Sequence, residues 1–465
     1  MIYLGKKREP LWDDYLIDKE QTTAFSRLMH PEKKEVCFWF DKDAVDFPCV
    51  YFSIVKDEKG YKLYYINWAE GENKCKRYLA VLESEDGIVW TQPNLNFFPH
   101  PELQGRNNVI FENVDVAAIF YDTNPNCPSE EKYKGIEPFE GKLWVLVSPD
   151  GYHFKRSHYI ETEGHFDSMN TAHFRDGKYA CYFRSFHDEF GQDAKEWINE
   201  NIRDVRVTYS EDGKTWTKQR RVEFIDGRDE PLYTNCIYPY ERAPQILVGF
   251  PTRYCERKEW SQNEEQLASV ALKKELMGNE HGSRVGRTAT DCVFMCSRDG
   301  VLWHRFNEAF MSPGYENEHN WIYGDCYPAW NVVDSGKNTY YMYALDRYRS
   351  QRFDKGLCRY EIRKDGFACY MADADERVLV TKPLIFEGKD LHLNFSTSAR
   401  GYIFVDVLDE NGNLLSENSS FEIYGDTIDR KISFADGSDF SSFAGKPIRL
   451  QFRMFDAKLY SLKFE

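Results

Sequence analysis

Apolar and polar residues alternate along most of this chain, in short runs that end at a recurring turn. The turn has the pattern Ser-x-Asp-Gly, and in its complete copies an aromatic residue follows three positions after the glycine. Four copies and a degraded fifth lie at Ser84–Trp90, Ser148–Phe154, Ser210–Trp216, Ser297–Trp303 and Arg363–Phe367. Alternation with a period of two is typical of a half-buried strand, and Asp-Gly between two such runs predicts a hairpin, because both residues tolerate positive φ. A turn that recurs in this way indicates a repeat architecture.

Each turn closes a predicted unit of four antiparallel strands, and five units follow one another. The first strands of the units are expected at Cys49–Val55, Ala117–Tyr121, Asn170–Phe174, Thr234–Tyr240 and Ala329–Val333. The fourth strand of the first unit is expected at Val89–Gln92, and that of the fifth unit at Phe367–Met371. Five such units predict an all-β fold, a five-bladed β-propeller. Within the extended lead-in over residues 1–35, Trp12–Asp18 is a candidate strand, and an N-terminal strand is expected to complete the last blade and remove its open edge.

Two insertions interrupt the repeat. The first, over residues 187–201, contains a predicted short helix at Asp193–Glu200, and the second, over residues 256–282, has a helical pattern around Glu264–Leu276. A surface decoration or an oligomer contact explains them at least as well as a lid over the site. Beyond residue 372 the turn no longer occurs, while the alternation continues. We therefore predict a catalytic propeller domain over residues 1–372 and a C-terminal β-sandwich domain over residues 373–465.

Composition and net charge restrict the classes of molecule that this protein can be expected to bind. The 465 residues carry a net charge of −16, and such a chain repels nucleic acid and anionic membrane surfaces while remaining compatible with a neutral substrate. No apolar run is long enough to span a membrane, and Met1–Arg8 has no apolar stretch after its charges. The 12 cysteines are scattered, with no CxxC pair. We expect a cytoplasmic protein with buried free thiols. Nothing in the sequence indicates an oligomeric state.

A carboxylate precedes the first strand of every predicted unit. The five are Asp46, Asp115, Asp167, Glu230 and Asp325. The first strands of propeller blades line the central axis, so these side chains are expected to converge at one end of it. Acidic residues also suit loop ends for structural reasons, but their recurrence at matched positions favours a shared function. Cleavage of a glycosidic bond needs this chemistry, with one carboxylic acid to protonate the leaving oxygen and a second carboxylate as base or nucleophile.

Several short motifs resemble those of glycoside hydrolase families 32 and 43 and their uncharacterised relatives. Asp46-Phe47-Pro48 resembles the motif whose Asp is the base or nucleophile, and Asp229-Glu230-Pro231 resembles the motif of the general acid. Phe166–Asn170 with the following Phe174–Tyr179 resembles the motif that holds a transition-state-stabilising Asp. The resemblance implies a propeller with a trailing sandwich, a carbohydrate substrate, and roles for Asp46, Asp167 and Glu230 as base or nucleophile, stabiliser and acid. Asp115 is an alternative to Asp167 as the residue that modulates the acid.

Other side chains near the first strands are candidates for substrate binding. They are Asp115, Asp325, Arg184, His165, Tyr233 and Trp330. Arg184 can equally form a structural salt bridge with Asp167, and a strand Trp packs in a core more often than it binds a sugar. No spacing indicates a zinc site or a nucleotide-binding loop, so we expect no cofactor; the acidity leaves room for a structural cation on the propeller axis.

Two alternatives to hydrolysis stay open from the sequence. A phosphorylase would replace water with phosphate and would need a basic pocket, for which Arg184, Arg242 and Arg253 are candidates. A propeller can also bind a glycan without cleaving it, because a fold does not determine a function.

Overall fold

The computed structural model describes residues 1–40, 48–71, 74–98, 108–194, 201–278, 283–349, 354–415, 419–434, 437 and 439–465. Five antiparallel sheets follow one another around an axis as the blades of a propeller. Blade one contains Pro48–Asp57, Gly60–Gly71, Lys74–Ser84 and Val109–Glu112, and blade two contains Ala118–Tyr121, Tyr133–Phe139, Lys142–Ser148 and Lys155–Ile160. Blade three contains Thr171–Arg175, Lys178–His187, Ile202–Ser210 and Arg220–Arg221. This architecture confirms the predicted five-bladed propeller.

Blade four extends from Glu223 to Arg305 along the chain and contains the second insertion. Its sheet contains Tyr238–Pro239, Leu247–Gly249, Met295–Ser297 and Leu302–Arg305, with Glu223–Phe224 added in parallel at the outer edge. Beyond the sheet, Thr252–Glu256 pairs with Thr288–Cys292, and between these strands lie helices Val270–Met277 and Ser283–Arg287 and the 3₁₀ turn Glu264–Gln266. The helical pattern predicted around Glu264–Leu276 is therefore confirmed, whereas the helix predicted at Asp193–Glu200 lies largely outside the described residues.

The N-terminus closes the ring in blade five. That blade contains Val333–Asp334, Thr339–Asp346 and Lys355–Arg363, and its fourth strand is Glu32–Phe40, which pairs antiparallel with Lys355–Arg363. Closure by an N-terminal strand was expected, but the segment proposed for it was wrong. Trp12–Asp18 forms bends with one bridge from Ile17 to Thr381.

Two predicted fourth strands were also wrong. In blade one, Thr91 makes a bridge with Glu83, and the fourth strand is Val109–Glu112. The strand predicted at Phe367–Met371 leaves the propeller as Ala368–Ala372 and joins the C-terminal sheet. Blade one is completed by the next strand along the chain, beyond the segment that returns from the turn, whereas blade five is completed by Glu32–Phe40, a distant partner about which local alternation contains no information.

Both ends of the chain contribute to the C-terminal sheet. Its centre is the pair Leu391–Leu408 and Arg449–Phe464, flanked by Asp426–Lys431 on one side and by Ala368–Ala372 and Phe25–Leu28 on the other. The edge strands Glu9–Pro10 and Arg377–Val380 also pair with Arg449–Phe464, and Ile2–Gly5 pairs separately with Leu384–Phe386. The 3₁₀ turns Ser129–Glu131 and Phe440–Ser442 complete the elements. The described strands thus form one seven-stranded sheet and a two-stranded pair around one core. The sandwich and the division at residue 372 stay predictions.

The repeated turn owes its shape to its Ser and Asp side chains. In the first copy, Ser84 Oγ accepts the Gly87 N–H at 2.8 Å, and Asp86 Oδ1 accepts the N–H groups of Ile88 and Val89 at 2.8 and 3.0 Å. The glycine has a positive φ in all four complete copies, between 73° and 81°, whereas the aspartate does not. Although both residues tolerate positive φ, only the glycine adopts it in these copies, because the Asp side chain, rather than a left-handed Asp backbone, stabilises the turn.

Each turn is hydrogen-bonded by the blade before it. Tyr64 OH donates to Gly151 O at 3.0 Å, Tyr182 OH to Gly300 O at 3.0 Å, and Tyr343 OH to Gly87 O at 2.5 Å. In the third turn His158 Nε2 takes the place of the tyrosine, 2.8 Å from Gly213 O. These contacts join blade five to one, one to two, two to three and three to four.

The degraded fifth turn anchors the C-terminal sheet. Asp365 has a φ of 60° and is fully buried. Tyr240 OH from blade four donates to Asp365 Oδ1 at 2.7 Å, and Ser461 Oγ from the C-terminal sheet donates to Oδ2 at 2.6 Å. Trp12 Nε1 donates to the Asp365 carbonyl at 2.8 Å. Through its carboxylate and its backbone carbonyl, Asp365 thus connects blade four, blade five and both chain ends.

No helix within the described ranges is long and apolar enough to cross a membrane. Cys49, Cys181, Cys292 and Cys369 are buried free thiols, as expected from their places in apolar strands.

We expect Tyr182→Phe to destabilise the protein, because the buried Gly300 carbonyl would lose its Tyr182 donor and keep only the Trp303 indole N–H, at 3.2 Å. The free energy of unfolding should fall by about 0.5–1.5 kcal/mol, measured by denaturant titration. Tyr315→Phe is the matched control, since Tyr315 is 99% exposed and its change should be negligible. Equal stability of the two variants would contradict the role given to these contacts.

Candidate active site at the mouth of the propeller

The two ends of the propeller differ in their side chains. Because neighbouring strands are antiparallel, the first strands begin at the end where the second strands finish and the third strands start. We call this end the mouth; the Ser-x-Asp-Gly turns lie at the opposite end. Four of the five carboxylates predicted from the sequence are described, and they precede the first strands and so belong to the mouth. Asp46 lies outside the described residues, and its place there stays a prediction.

Asp167 is the most exposed of the four described carboxylates, with 78% of its side chain accessible. Its nearest cation is Arg184, with Nη2 3.7 Å from Oδ2. Arg184 itself is buried, and its Nε donates to the His165 carbonyl at 2.9 Å. The His165 ring packs against Phe186, with Nε2 3.3 Å from the Ala194 carbonyl. The backbone therefore positions Arg184, while Asp167 faces solvent beside it.

Glu230 lies on the adjoining segment that leads into blade four. Its side chain is 27% exposed, and its Oε2 is 3.4 Å from Arg253 Nη1. Arg253 is engaged more closely by Asp291, which accepts from Nε at 2.9 Å and from Nη2 at 2.7 Å. Glu230 is thus the weaker partner of a shared guanidinium, which leaves its carboxylate available to a ligand.

The segment of Glu230 is anchored by a buried histidine. His187 Nε2 lies 2.6 Å from Asp229 Oδ2, and its Nδ1 lies 2.9 Å from Asp204 Oδ2. Although burial alone would lower the pKa of His187, the hydrogen bonds to Asp204 and Asp229 raise it to about 9. His187 is therefore a cation between two carboxylates at neutral pH, and it fixes the residue next to Glu230. The sequence analysis did not identify it.

Tyr233 connects the two carboxylate-bearing segments. Ser168 Oγ, next to Asp167, donates to the Tyr233 carbonyl at 2.7 Å. The Tyr233 ring packs near those of Tyr254 and Tyr323, with centroids 6.1 and 5.8 Å away, and the Tyr323 hydroxyl bonds to that of Tyr233 at 2.8 Å. The structure therefore brings Asp167, Arg184, His165, Tyr233 and Glu230 into one region where blades three and four meet.

The remaining predicted residues lie elsewhere or are engaged. Asp115 forms an ion pair with Arg77 of blade one. Asp325 Oδ2 accepts the Ile322 N–H at 2.9 Å, and burial raises the pKa of this carboxyl to about 7. Trp330 is fully buried and donates its indole N–H to the Ile237 carbonyl at 2.9 Å. Trp330 is therefore a core residue and offers no surface for a sugar.

Arg203 is a further residue of this region that the sequence analysis missed. Its guanidinium carbon lies 4.3 Å from the Tyr254 ring centroid and 5.2 Å from that of Tyr233. The alternation of its strand could have identified it, because Arg203 lies on the same face of the strand as the buried Val205 and Val207. In the chain as described, no three His, Cys, Asp or Glu side chains are grouped to hold a metal ion.

Comparison with known proteins yields only distant similarity. No protein-family model matches the chain, and no curated protein matches it. Among solved structures, it is similar to the GH32 β-fructofuranosidase BmSUC1 of Bombyx mori, at 7% identity over 91% of this chain and 95% of that chain, with a TM-score of 0.40.

Two further solved structures resemble the chain to a similar degree. One is described by the finding that the GH130 family of mannoside phosphorylases contains glycoside hydrolases that target β-1,2 mannosidic linkages in Candida mannan; the identity is 12% over 76% of this chain and 96% of that chain, with a TM-score of 0.40. The other is RS223-β-xylosidase, at 10% identity over 70% of this chain and 95% of that chain, with a TM-score of 0.39. Similarity this low carries no argument about function.

We expect His187→Asn to cost stability in a pH-dependent way. The pKa of His187 is raised from 6.5 in the unfolded chain to about 9, so its stabilisation is complete below the lower value and is lost as pH rises through the higher one. The deficit of the variant against wild type should therefore be larger at about pH 7 than at about pH 10.

The control for this prediction is His173→Asn. Burial lowers the pKa of His173 to about 3, so this residue stays uncharged across the same range and its deficit should not change with pH. A deficit of His187→Asn that is equally independent of pH would contradict the charged state assigned to His187.

Proposed function

We propose that this protein is a glycoside hydrolase whose active site is the mouth of the propeller. The observation that carries the proposal is the pair Asp167 and Glu230. Both are accessible carboxylates, each lies near a single guanidinium, and the Ser168–Tyr233 hydrogen bond joins their segments. Glycosidic cleavage requires an acid and a base or nucleophile, and in this proposal Glu230 is the acid, Asp46 is the base or nucleophile, and Asp167 stabilises the transition state.

Glu230 is our candidate for the general acid. It would donate a proton to the glycosidic oxygen as the bond to the leaving group breaks. The Arg253 contact at 3.4 Å orients its side chain, and the His187–Asp229 hydrogen bond at 2.6 Å holds the neighbouring backbone. Such positioning matters because proton transfer needs the acid within hydrogen-bond reach of the leaving oxygen.

Asp167 is our candidate for the stabilising carboxylate, and Asp46 for the base or nucleophile. Asp167 is exposed next to Arg184, where it can accept hydrogen bonds from sugar hydroxyls. The role of Asp46 rests on its motif alone. The substrate we propose is a chain end or a small oligosaccharide, furanosides included.

The arginines bear on the phosphorylase alternative. Arg242 is excluded as a phosphate ligand at the mouth, because its Nε lies 3.0 Å from Asp365 at the turn end of the propeller. Arg253 is engaged by Asp291 and Glu230. Of these three arginines, Arg184 is the one at the mouth whose nearest carboxylate, Asp167, is too far away for a hydrogen bond. Arg203, which was not among the candidates, lies near the same Tyr233 ring.

We expect Glu230→Gln to abolish turnover while leaving the fold intact. The amide keeps the shape and a hydrogen bond to Arg253 but cannot deliver a proton, so the rate should fall by about 10²–10⁴. The assay is product release from a panel of aryl glycosides, furanosides included, with and without phosphate.

Glu259→Gln is the matched control, because Glu259 is an exposed residue of the blade-four insertion and its variant should keep full activity. Release that needs only water, and that Glu230→Gln loses, would support a hydrolase. Release only in phosphate would show a phosphorylase. A Glu230→Gln protein as active as wild type would contradict the assignment of the acid, and binding without cleavage of any glycoside would favour a binding propeller.

A further inference from the structure

The guanidinium of Arg203 is buried at the mouth without a hydrogen bond or ion pair to any described residue. Its side chain is 7% exposed, and its Nε is fully buried and unpartnered. Contacts with the faces of Tyr233 and Tyr254 compensate part of its charge. An arginine that is largely removed from water and has no counter-ion among the described residues is costly to the fold, so its retention here needs an explanation.

Arg184 lies near the same aromatic rings as Arg203. Its guanidinium carbon lies 5.0 Å from the Phe186 centroid and 5.6 Å from that of Tyr233, while that of Arg203 lies 5.6 and 5.2 Å from the same two rings. The 3.7 Å separation between Arg184 and Asp167 is too long for a hydrogen bond. Because Asp167 is largely exposed, this side of the guanidinium pair opens toward solvent.

The two arginines also repel each other. Burial lowers the pKa of Arg203 below its usual range, and the like charges of Arg284 and Arg184 act in the same direction. Arg284 has a partner of its own, since its Nε donates to Glu256 at 2.6 Å. Arg184 and Arg203 therefore remain as a pair of cations whose repulsion a bound anion would relieve. Guanidinium groups match carboxylates and phosphates in geometry, with two parallel N–H donors each.

We propose that Arg203 and Arg184 form an oxyanion subsite at the mouth, which takes the carboxylate of an acidic sugar or a free phosphate ion. This inference rests on the proposed function, because it places the anion on the glycoside or beside it. The net charge of −16 opposes the approach of a polyanion. The ligand is therefore a small saccharide with one charged group, or phosphate itself.

The test is the thermal unfolding midpoint of the full chain in the presence of defined ligands. Sodium glucuronate, sodium galacturonate and sodium phosphate are compared with glucose, galactose and sodium chloride at equal ionic strength. We expect at least one oxyanion to raise the midpoint in a saturable way, with no shift from the neutral sugars or from chloride. A shift with a uronate alone assigns an acidic substrate, and a shift with phosphate alone assigns phosphate as the second reactant.

Three variants separate this site from nonspecific anion binding. Arg203→Met removes the charge but keeps an apolar stem, so its ligand-free midpoint should equal or exceed that of wild type, and the oxyanion shift should vanish. Arg203→Lys keeps the charge without the planar fork and should weaken binding about tenfold. Arg400→Met, at a residue of the C-terminal sheet that is 68% exposed, should keep the full shift.

Two results would overturn the proposal: no oxyanion shifts the midpoint beyond chloride, or Arg203→Met retains the wild-type shift. If Arg203→Met does not fold, Arg203→Lys decides, and undiminished binding in that variant contradicts the site. Because the readout is binding, its failure is distinct from that of the proposed function. If the protein cleaves neutral glycosides but binds none of the oxyanions, the subsite is refuted and the proposed hydrolase activity is unaffected.

Discussion

A hydrogen bond between each repeated turn and the blade before it holds the propeller together. Four glycine carbonyls accept from Tyr343, Tyr64, His158 and Tyr182, and the fifth turn bonds to Tyr240. The glycine is needed twice over, for its positive φ and for the close approach of the neighbouring ring: a Cβ on Gly300 would lie 2.4 Å from the Tyr182 hydroxyl. The repeated motif is thus a contact between blades as well as a turn.

These hydrogen bonds between blades lie at the turn end of the propeller, so the side chains at the mouth are not needed for them. At the turn end, Asp365 connects the ring to the C-terminal sheet through buried hydrogen bonds. The mouth combines closely paired groups, such as Arg253 with Asp291, with others that are exposed or weakly paired. Asp167 and Arg203 are the clearest examples of the second kind, an exposed acid and a base with a buried Nε and no counter-ion among the described residues. Polar groups that the fold leaves unsatisfied in a packed protein are reasonable places to expect a ligand.

Features encoded within a few residues could be predicted from the sequence. The Ser-x-Asp-Gly turns and most strands next to them are local, and so is the place of Asp167 and Glu230 before the first strands of their blades. Glu32–Phe40 was missed as the closing strand because its partner, Lys355–Arg363, is more than 300 residues away. Arg203 and His187 were missed for a different reason: their importance depends on which partners they have or lack. Trp330 shows the converse, since its place in the predicted strand Ala329–Val333 made it a candidate for sugar binding, and the structure puts it in the core, the more frequent fate of a strand Trp.

The central claim is that the mouth holds a glycoside with its scissile oxygen facing Glu230. The most direct test is a crystal structure of the Glu230→Gln protein with the aryl glycoside that wild type cleaves fastest. The account predicts the glycosidic oxygen about 3 Å from the side-chain amide at position 230, with the sugar between Asp167 and Tyr233. A glycoside bound at the turn end, or one whose scissile oxygen faces Asp115 or Asp325 instead, would contradict it.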